Sequence, residues 1–168
     1  MSAFSLRPLL GLVLLCAAFQ AGAQSSATFT MQSITPEAAL RAAQAALQSC
    51  ARSGYQVAVA VSDRAGHPLV MLRDRLAGPH TPETAVNKAY TAVSFKLDTQ
   101  SFAKATQATE LASGIRQLPR VAAIGGGVPI QAAGAQVGAS GVSGAPGGEA
   151  DDVCARAGIA AIRDDLEF

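Results

Sequence analysis

The chain carries two histidines, and their settings differ. His67 stands beside Asp63-Arg64-Ala65-Gly66, a turn signature, and reads as a solvent-exposed turn residue. His80 closes the loop DRLAGPH, residues 74–80, immediately before Thr81-Pro82-Glu83. A neutral imidazole there can coordinate an iron centre such as haem, or take and return a proton. Lys88 follows eight residues on, a polar position among apolar ones, and can pair with a ligand carboxylate or with Glu83 or Asp98. Arg73 and Arg75 flank the loop and read as solvated side chains. Tyr90, Phe95 and Phe102 are the aromatic residues nearest the loop in sequence, so Tyr90 is a candidate ligand contact. The amides of residues 144–148, beginning at Gly144, precede a helix start and can hold a carboxylate. Glu149, Asp151 and Asp152 oppose that reading, because acids at a helix start already complement its dipole.

These residues must be positioned by a small set of elements. Thr35-Pro36-Glu37 is a helix opening, with an N-cap, a proline in the first turn and an early acid. Apolar residues at helical spacing carry that helix to about Arg52, and Gly54 stops it. Residues 55–61 (YQVAVAV) form a buried strand, and residues 69–73 return from the turn as its hairpin partner. Thr81-Pro82-Glu83 repeats the capping chemistry and opens a helix with Val86, Ala89, Tyr90, Val93 and Leu97 on its apolar face. Asp98-Thr99 caps a short helix, and residues 109–120 are irregular. Residues 121–124, 128–132 and 137–142 read as three strands, the last two turned at Gly134. A closing helix spans residues 149–163, with Val153, Cys154, Ala157, Ala161 and Ile162 as its buried stripe. Hairpins at both ends predict an α+β domain: a mostly antiparallel sheet of about five strands with helices packed on it.

Residues 1–23 read as a signal peptide: Arg7, an apolar run over residues 9–19, and Ala21-Gly22-Ala23 as the cleavage site. Residues 24–34 are then a flexible start and residues 35–168 a single domain. The expected product is periplasmic or secreted. Loss of Arg7 leaves 12 basic residues against 12 acidic. Zero net charge argues against nucleic acid as a partner, and no apolar run is long enough for integral membrane contact. Cys50 and Cys154 remain after cleavage, each on the apolar face of its helix. Two readings stand: a disulfide permitted by an oxidising compartment, or two small buried hydrophobes.

Nine glycines crowd residues 125–148. GGGVPI is not a phosphate loop, because Pro129 and an extended segment follow where a helix is required. Gly141-Val142-Ser143-Gly144-Ala145 misses the nucleophile-elbow pattern by one position.

Four pieces of the chain resemble the GlcG/HbpS family of haem-binding or "haem-degrading" proteins, which includes the C-terminal domain of PduO-type proteins. They are VAVAVSDRAG at 57–66, GPHTPETAVNKAYTA at 78–92, GGVPI at 126–130 and GASGVSGAPGGEADDVCARAGI at 138–159. The resemblance implies a profilin-like α/β sandwich, homo-oligomers built from dimers, and a bound tetrapyrrole: haem, or a corrinoid as in the PduO branch. Carried over by position, His80 is the candidate iron ligand. Lys88 or an arginine such as Arg73 would meet the propionates, with Tyr90 and Gly144 in the pocket wall. A scavenging or sensing role follows. The alternative is a small-metabolite enzyme or accessory protein of glycolate-type metabolism, taking a small acidic ligand with His80 and Lys88 as acid and base. Haem degradation requires a reductant and dioxygen, and no redox motif in the sequence supplies electrons.

Overall fold

A computed structural model describes residues 26–167, so the predicted leader lies outside the described residues. Helix α1 (Pro36–Arg52) opens as its sequence dictates: the Thr35 hydroxyl accepts the Ala38 N–H, and Pro36 sits where a missing N–H costs nothing. Strands β1 (Ala58–Asp63) and β2 (Pro68–Arg73) make the predicted hairpin. Helix α2 (Thr81–Phe95) and the short α3 (Thr99–Ala105) follow, and a 3₁₀ turn spans Ser113–Gln117. Strands β3 (Gly127–Ala132) and β4 (Ala135–Ser143) turn at Ala133-Gly134, both with positive φ. Helix α4 (Gly148–Ala160) and a single turn, α5 (Arg163–Leu166), close the chain.

The sheet is antiparallel throughout, in the order β2-β1-β4-β3. It has four strands rather than about five. Residues 121–124 stay out of it, because the Ala122 N–H is taken by the Thr91 hydroxyl of α2 and Ile124 is half-exposed. The sandwich has helices on both faces. On one face α1 and α4 pack over Val57, Val59, Val61, Ile130 and Val142. On the other, α2 lies on Ala58, Ala60 and Ala139 through Ala85, Ala89 and Ala92. This second layer is built from the smallest side chains, so helix and sheet backbones nearly touch. A Cβ at Gly141 would run into the Ala85 carbonyl and lie 2.7 Å from the Ala89 nitrogen.

Two expectations about the ends of the domain change. Ser33 and Ile34 are not free chain: both bond the Val137 carbonyl at the start of β4, and Ile34 is buried. In α4 the predicted stripe is rotated. Val153 is 66% exposed, while Asp151 and Asp152 are buried. Asp151 turns inward to a buried partner described below, whereas Asp152 accepts the Nε–H of the largely exposed Arg156 at 2.7 Å on the same helix. Cys50 and Cys154 are joined as a disulfide that ties α1 to α4.

Candidate functional site

His80 is the N-cap residue of α2, yet its side chain makes no capping hydrogen bond. The His80 carbonyl accepts the Thr84 N–H and hydroxyl, and the Thr81 hydroxyl donates to the Gly78 carbonyl. The imidazole is therefore left without a structural task. It is exposed and lies against Gly78. Leu76, 74% exposed, and Pro79 stand on the same loop, with Arg75 at its start. Arg73 fixes this loop. Its Nε and Nη2 both donate to the Ala77 carbonyl, at 3.2 and 2.7 Å, clamping the end of β2 to the segment that presents His80.

Lys88 lies two turns along α2 and points the other way, into the molecule. It is 1% exposed. Its Nζ donates to the Val142 carbonyl at 2.8 Å and to Asp151 Oδ2 at 2.7 Å. Its partner is thus neither Glu83 nor Asp98. Asp151 Oδ1 accepts the Ala145 N–H at 3.0 Å, next to Gly144. The pair pins α2, β4 and the start of α4 together. Burial pushes the Lys88 ammonium below its ordinary value and the Asp151 carboxyl above its own, against the attraction between the two.

The amides read from sequence as an anion site thus already hold an anion, the chain's own Asp151. Gly144 has φ +131, and a Cβ there would lie 2.5 Å from the Gln56 carbonyl, so this is a backbone crossing. Tyr90 is half-buried at the other end of α2. Its ring lies against Gly66 of the β1–β2 turn and beneath the Arg120 guanidinium, 3.9 Å from the ring centroid. His67 is exposed, with Nδ1 3.5 Å from Asp63 Oδ2.

The structure therefore brings Arg73 and His80 to one loop, joins Lys88 through Asp151 to the Ala145 amide next to Gly144, and sets Tyr90 apart. Asp151 and Arg120 are the residues that sequence reasoning missed. Sixty-three positions separate Lys88 from Asp151, and no local pattern links them. Two surface grooves, of about 680 and 340 Å³, run beside β3 with α4 and beside α3. Neither is lined by His80, Lys88, Arg73, Tyr90 or Gly144.

Among the described residues no group of three His, Cys, Asp or Glu side chains could hold a bare metal ion. Iron already held in a porphyrin needs only axial ligation. An exposed imidazole on a loop that also carries Leu76, Pro79 and Arg75 offers what that group needs: a ligand, apolar side chains for the ring and a cation for a carboxylate. No described helix is long and apolar enough to cross a membrane.

Comparison with known proteins gives one family. The family described as HbpS-like, "Haem degrading protein HbpS-like", matches residues 34–160. A solved double mutant of HbpS from Streptomyces reticuli is 39% identical, with a TM-score of 0.77 over 87% of this chain and 98% of its own. The protein ORFY from Klebsiella pneumoniae is 28% identical, with a TM-score of 0.79 over 82% and 96%. The PduOC–haem complex is 27% identical, with a TM-score of 0.73 over 77% and 95%. No curated protein sequence matches the chain.

Proposed function

The chain belongs to the HbpS-like family, and from that premise we propose that it is an exported haem-binding protein with His80 as the axial ligand of the iron. The observation that carries the reading is the His80 imidazole: exposed, uncapped and presented by a clamped loop. A related domain solved as a haem complex supports the choice of ligand. Leu76 and Pro79 take the porphyrin face, Arg75 meets a propionate, and Arg73 holds the loop in place. Tyr90 and the Gly144 segment support the fold around α2 rather than the ligand. Haem held there supplies a redox-active iron, which a scavenger retains and a sensor reads. The reading as an acid–base enzyme loses its second group, because the Lys88 ammonium is spent on Asp151 and Val142 below the surface. Export is supported by the leader pattern and by the Cys50–Cys154 disulfide, which suits an oxidising compartment.

Titration of the chain from residue 24 with haemin tests this. We expect a saturable Soret shift, lost in His80→Ala and weakened in Leu76→Asp. An unchanged shift in His80→Ala removes His80 as the ligand, and no shift in the wild type removes the haem reading altogether.

A further inference from the structure

We propose that the groove beside β3 and α4 is a second binding site, separate from the His80 loop, for a small amphipathic carboxylate: an aryl or alkyl body with one planar anionic head. Its volume, about 680 Å³, is that of a small-molecule site. Three pieces of the chain wall it. Arg156 and Ile159 lie one turn apart on α4, and Arg163 opens α5. Val128 and Pro129 come from β3, and Lys96 and Leu97 from the link between α2 and α3.

The head of the ligand follows from the charges. The lining holds three cations, Lys96, Arg156 and Arg163, against two acids, Asp98 and Glu167. Asp98 is already engaged: its carboxylate accepts the Ser101 N–H at 2.8 Å and the Ser101 hydroxyl at 3.0 Å, which caps α3. Among the described residues the side chains of Lys96 and Arg163 make no ion pair. Arg156 is held from behind. Its Nε donates to the buried Asp152 carboxylate at 2.7 Å, while the arginine side chain stays 57% exposed. Its two terminal nitrogens make no hydrogen bond among the described residues. A guanidinium oriented on one edge and open on the other is preset for a carboxylate, which it can meet with two parallel bonds.

Lys96 gives a second, independent sign. Its φ is +53, a left-handed conformation that glycine takes freely and lysine seldom does. A cation for the dipole of α2 could stand in the last turn without that cost, yet that turn holds none. The lysine is exposed and packs no core, so its contribution is an ammonium at the groove. The body of the ligand follows from the wall. Val128, Ile159 and Leu166 belong to or pack on the α1–α4 core, and with Leu97 they give the groove an apolar surface. An extended peptide is the poorer occupant, because the β3 edge offers it little to pair with. The Gly127 N–H donates to the Thr99 hydroxyl at 2.8 Å, and Pro129 has no N–H.

The test uses the chain from residue 24 and anilinonaphthalene sulfonate, a fluorescent aryl anion, as the probe. Phenylbutyrate and its uncharged counterpart phenylbutanol are the competitors. The probe should bind saturably, and phenylbutyrate should displace it at least about tenfold more effectively than phenylbutanol. Arg156→Ala should weaken probe binding by about tenfold, and Lys96→Gly and Arg163→Ser by about threefold each. Glu167→Gln, which removes a competing acid, should tighten it by about twofold. Arg156→Ala also strips Asp152 of its partner and can cost stability. Lys96→Gly breaks no pair and suits the backbone, so it judges the proposal by itself, with circular dichroism to confirm the fold. His80→Ala should leave the probe in place, and Lys96→Gly should leave the haemin Soret titration unchanged, so the two sites fail separately. Absence of saturable binding, equal displacement by the alcohol, or an affinity unmoved by Lys96→Gly and Arg163→Ser overturns the proposal. Loss of the probe in His80→Ala overturns it as well, because the two sites would then be one.

Discussion

Replacing Lys88 by methionine separates a structural lysine from a ligand-binding one. Methionine refills the stem of the side chain, so little cavity is created. What is lost is the ammonium. Asp151 Oδ2 loses a donor at 2.7 Å and the Val142 carbonyl loses one at 2.8 Å, both in the interior. Removing one member of a buried ion pair costs about 3–5 kcal/mol, because the other charge stays buried and unpaired. In a chain of this size each kcal/mol moves Tm by about 3–4 °C, so Lys88→Met should melt about 10–20 °C lower near neutral pH. The deficit should depend on pH in one direction. The folded-state pKa of Asp151 is already raised by burial, so its contribution to stability is present below the ordinary carboxylate value and is lost as pH rises through the folded one. Taking away Lys88 raises that folded value further. The variant should therefore recover stability relative to wild type as pH falls from about 8 toward 5. Lys88→Met with Asp151→Leu, which removes both charges, should recover most of the loss at neutral pH. Urea and thermal denaturation at pH 8 and pH 5, followed by circular dichroism, measure all three. A deficit below about 1 kcal/mol at pH 8, or one that grows on acidification, refutes the account of the pair. Below its melting range the single variant should still bind haemin with wild-type affinity, since Lys88 does not reach the surface.

Two further outcomes follow from the packing. The Cys50–Cys154 bond closes a loop with a sequence separation of 104 residues, for which chain-entropy arguments give about 4–5 kcal/mol. Reductant, or Cys50→Ser, should lower Tm by more than about 10 °C, and an unchanged melt under reductant would show that the bond adds nothing. Gly141→Ala places a methyl group against the backbone of α2, which cannot swing aside as a side chain would. It should cost about 2–3 kcal/mol in urea denaturation, and a neutral result would mean that α2 slides on the sheet.

Local signals carried much of this fold. Thr35-Pro36-Glu37 predicts the start of α1 to the residue, and the Asp63–Gly66 turn and Gly134 place both hairpins. The errors fall where tertiary partners override local pattern. Residues 121–124 are apolar enough for a strand, but a hydroxyl on α2 takes the Ala122 N–H. Val153 reads as core and Asp151 as a solvated helix-start acid; the roles are reversed because Lys88 waits inside. The candidate site was legible only in part. That His80 stands in a loop before a helix could be read from Gly78, Pro79 and Thr81-Pro82-Glu83. That Lys88 turns away from it could not, because the cause is a carboxylate 63 residues further on.

The Lys88–Asp151 pair also bears on where ligand chemistry can lie. The glycine-rich segment before α4 offers amides in a form that would suit an external anion, yet Asp151 fills it from within. Both α2 and α4 are thereby fixed to the sheet by buried charge and backbone contact. Ligation of the iron has to come from elements not consumed in this way. The β2 strand and the loop after it are such elements, and Arg73 belongs to both. Its guanidinium holds the Ala77 carbonyl and hence the loop that ends in His80. Arg73→Ala, which releases that clamp, should therefore weaken haemin binding in the same Soret titration while leaving the buried Lys88–Asp151 pair in place, and an unchanged affinity would show that the clamp does not set the presentation of His80.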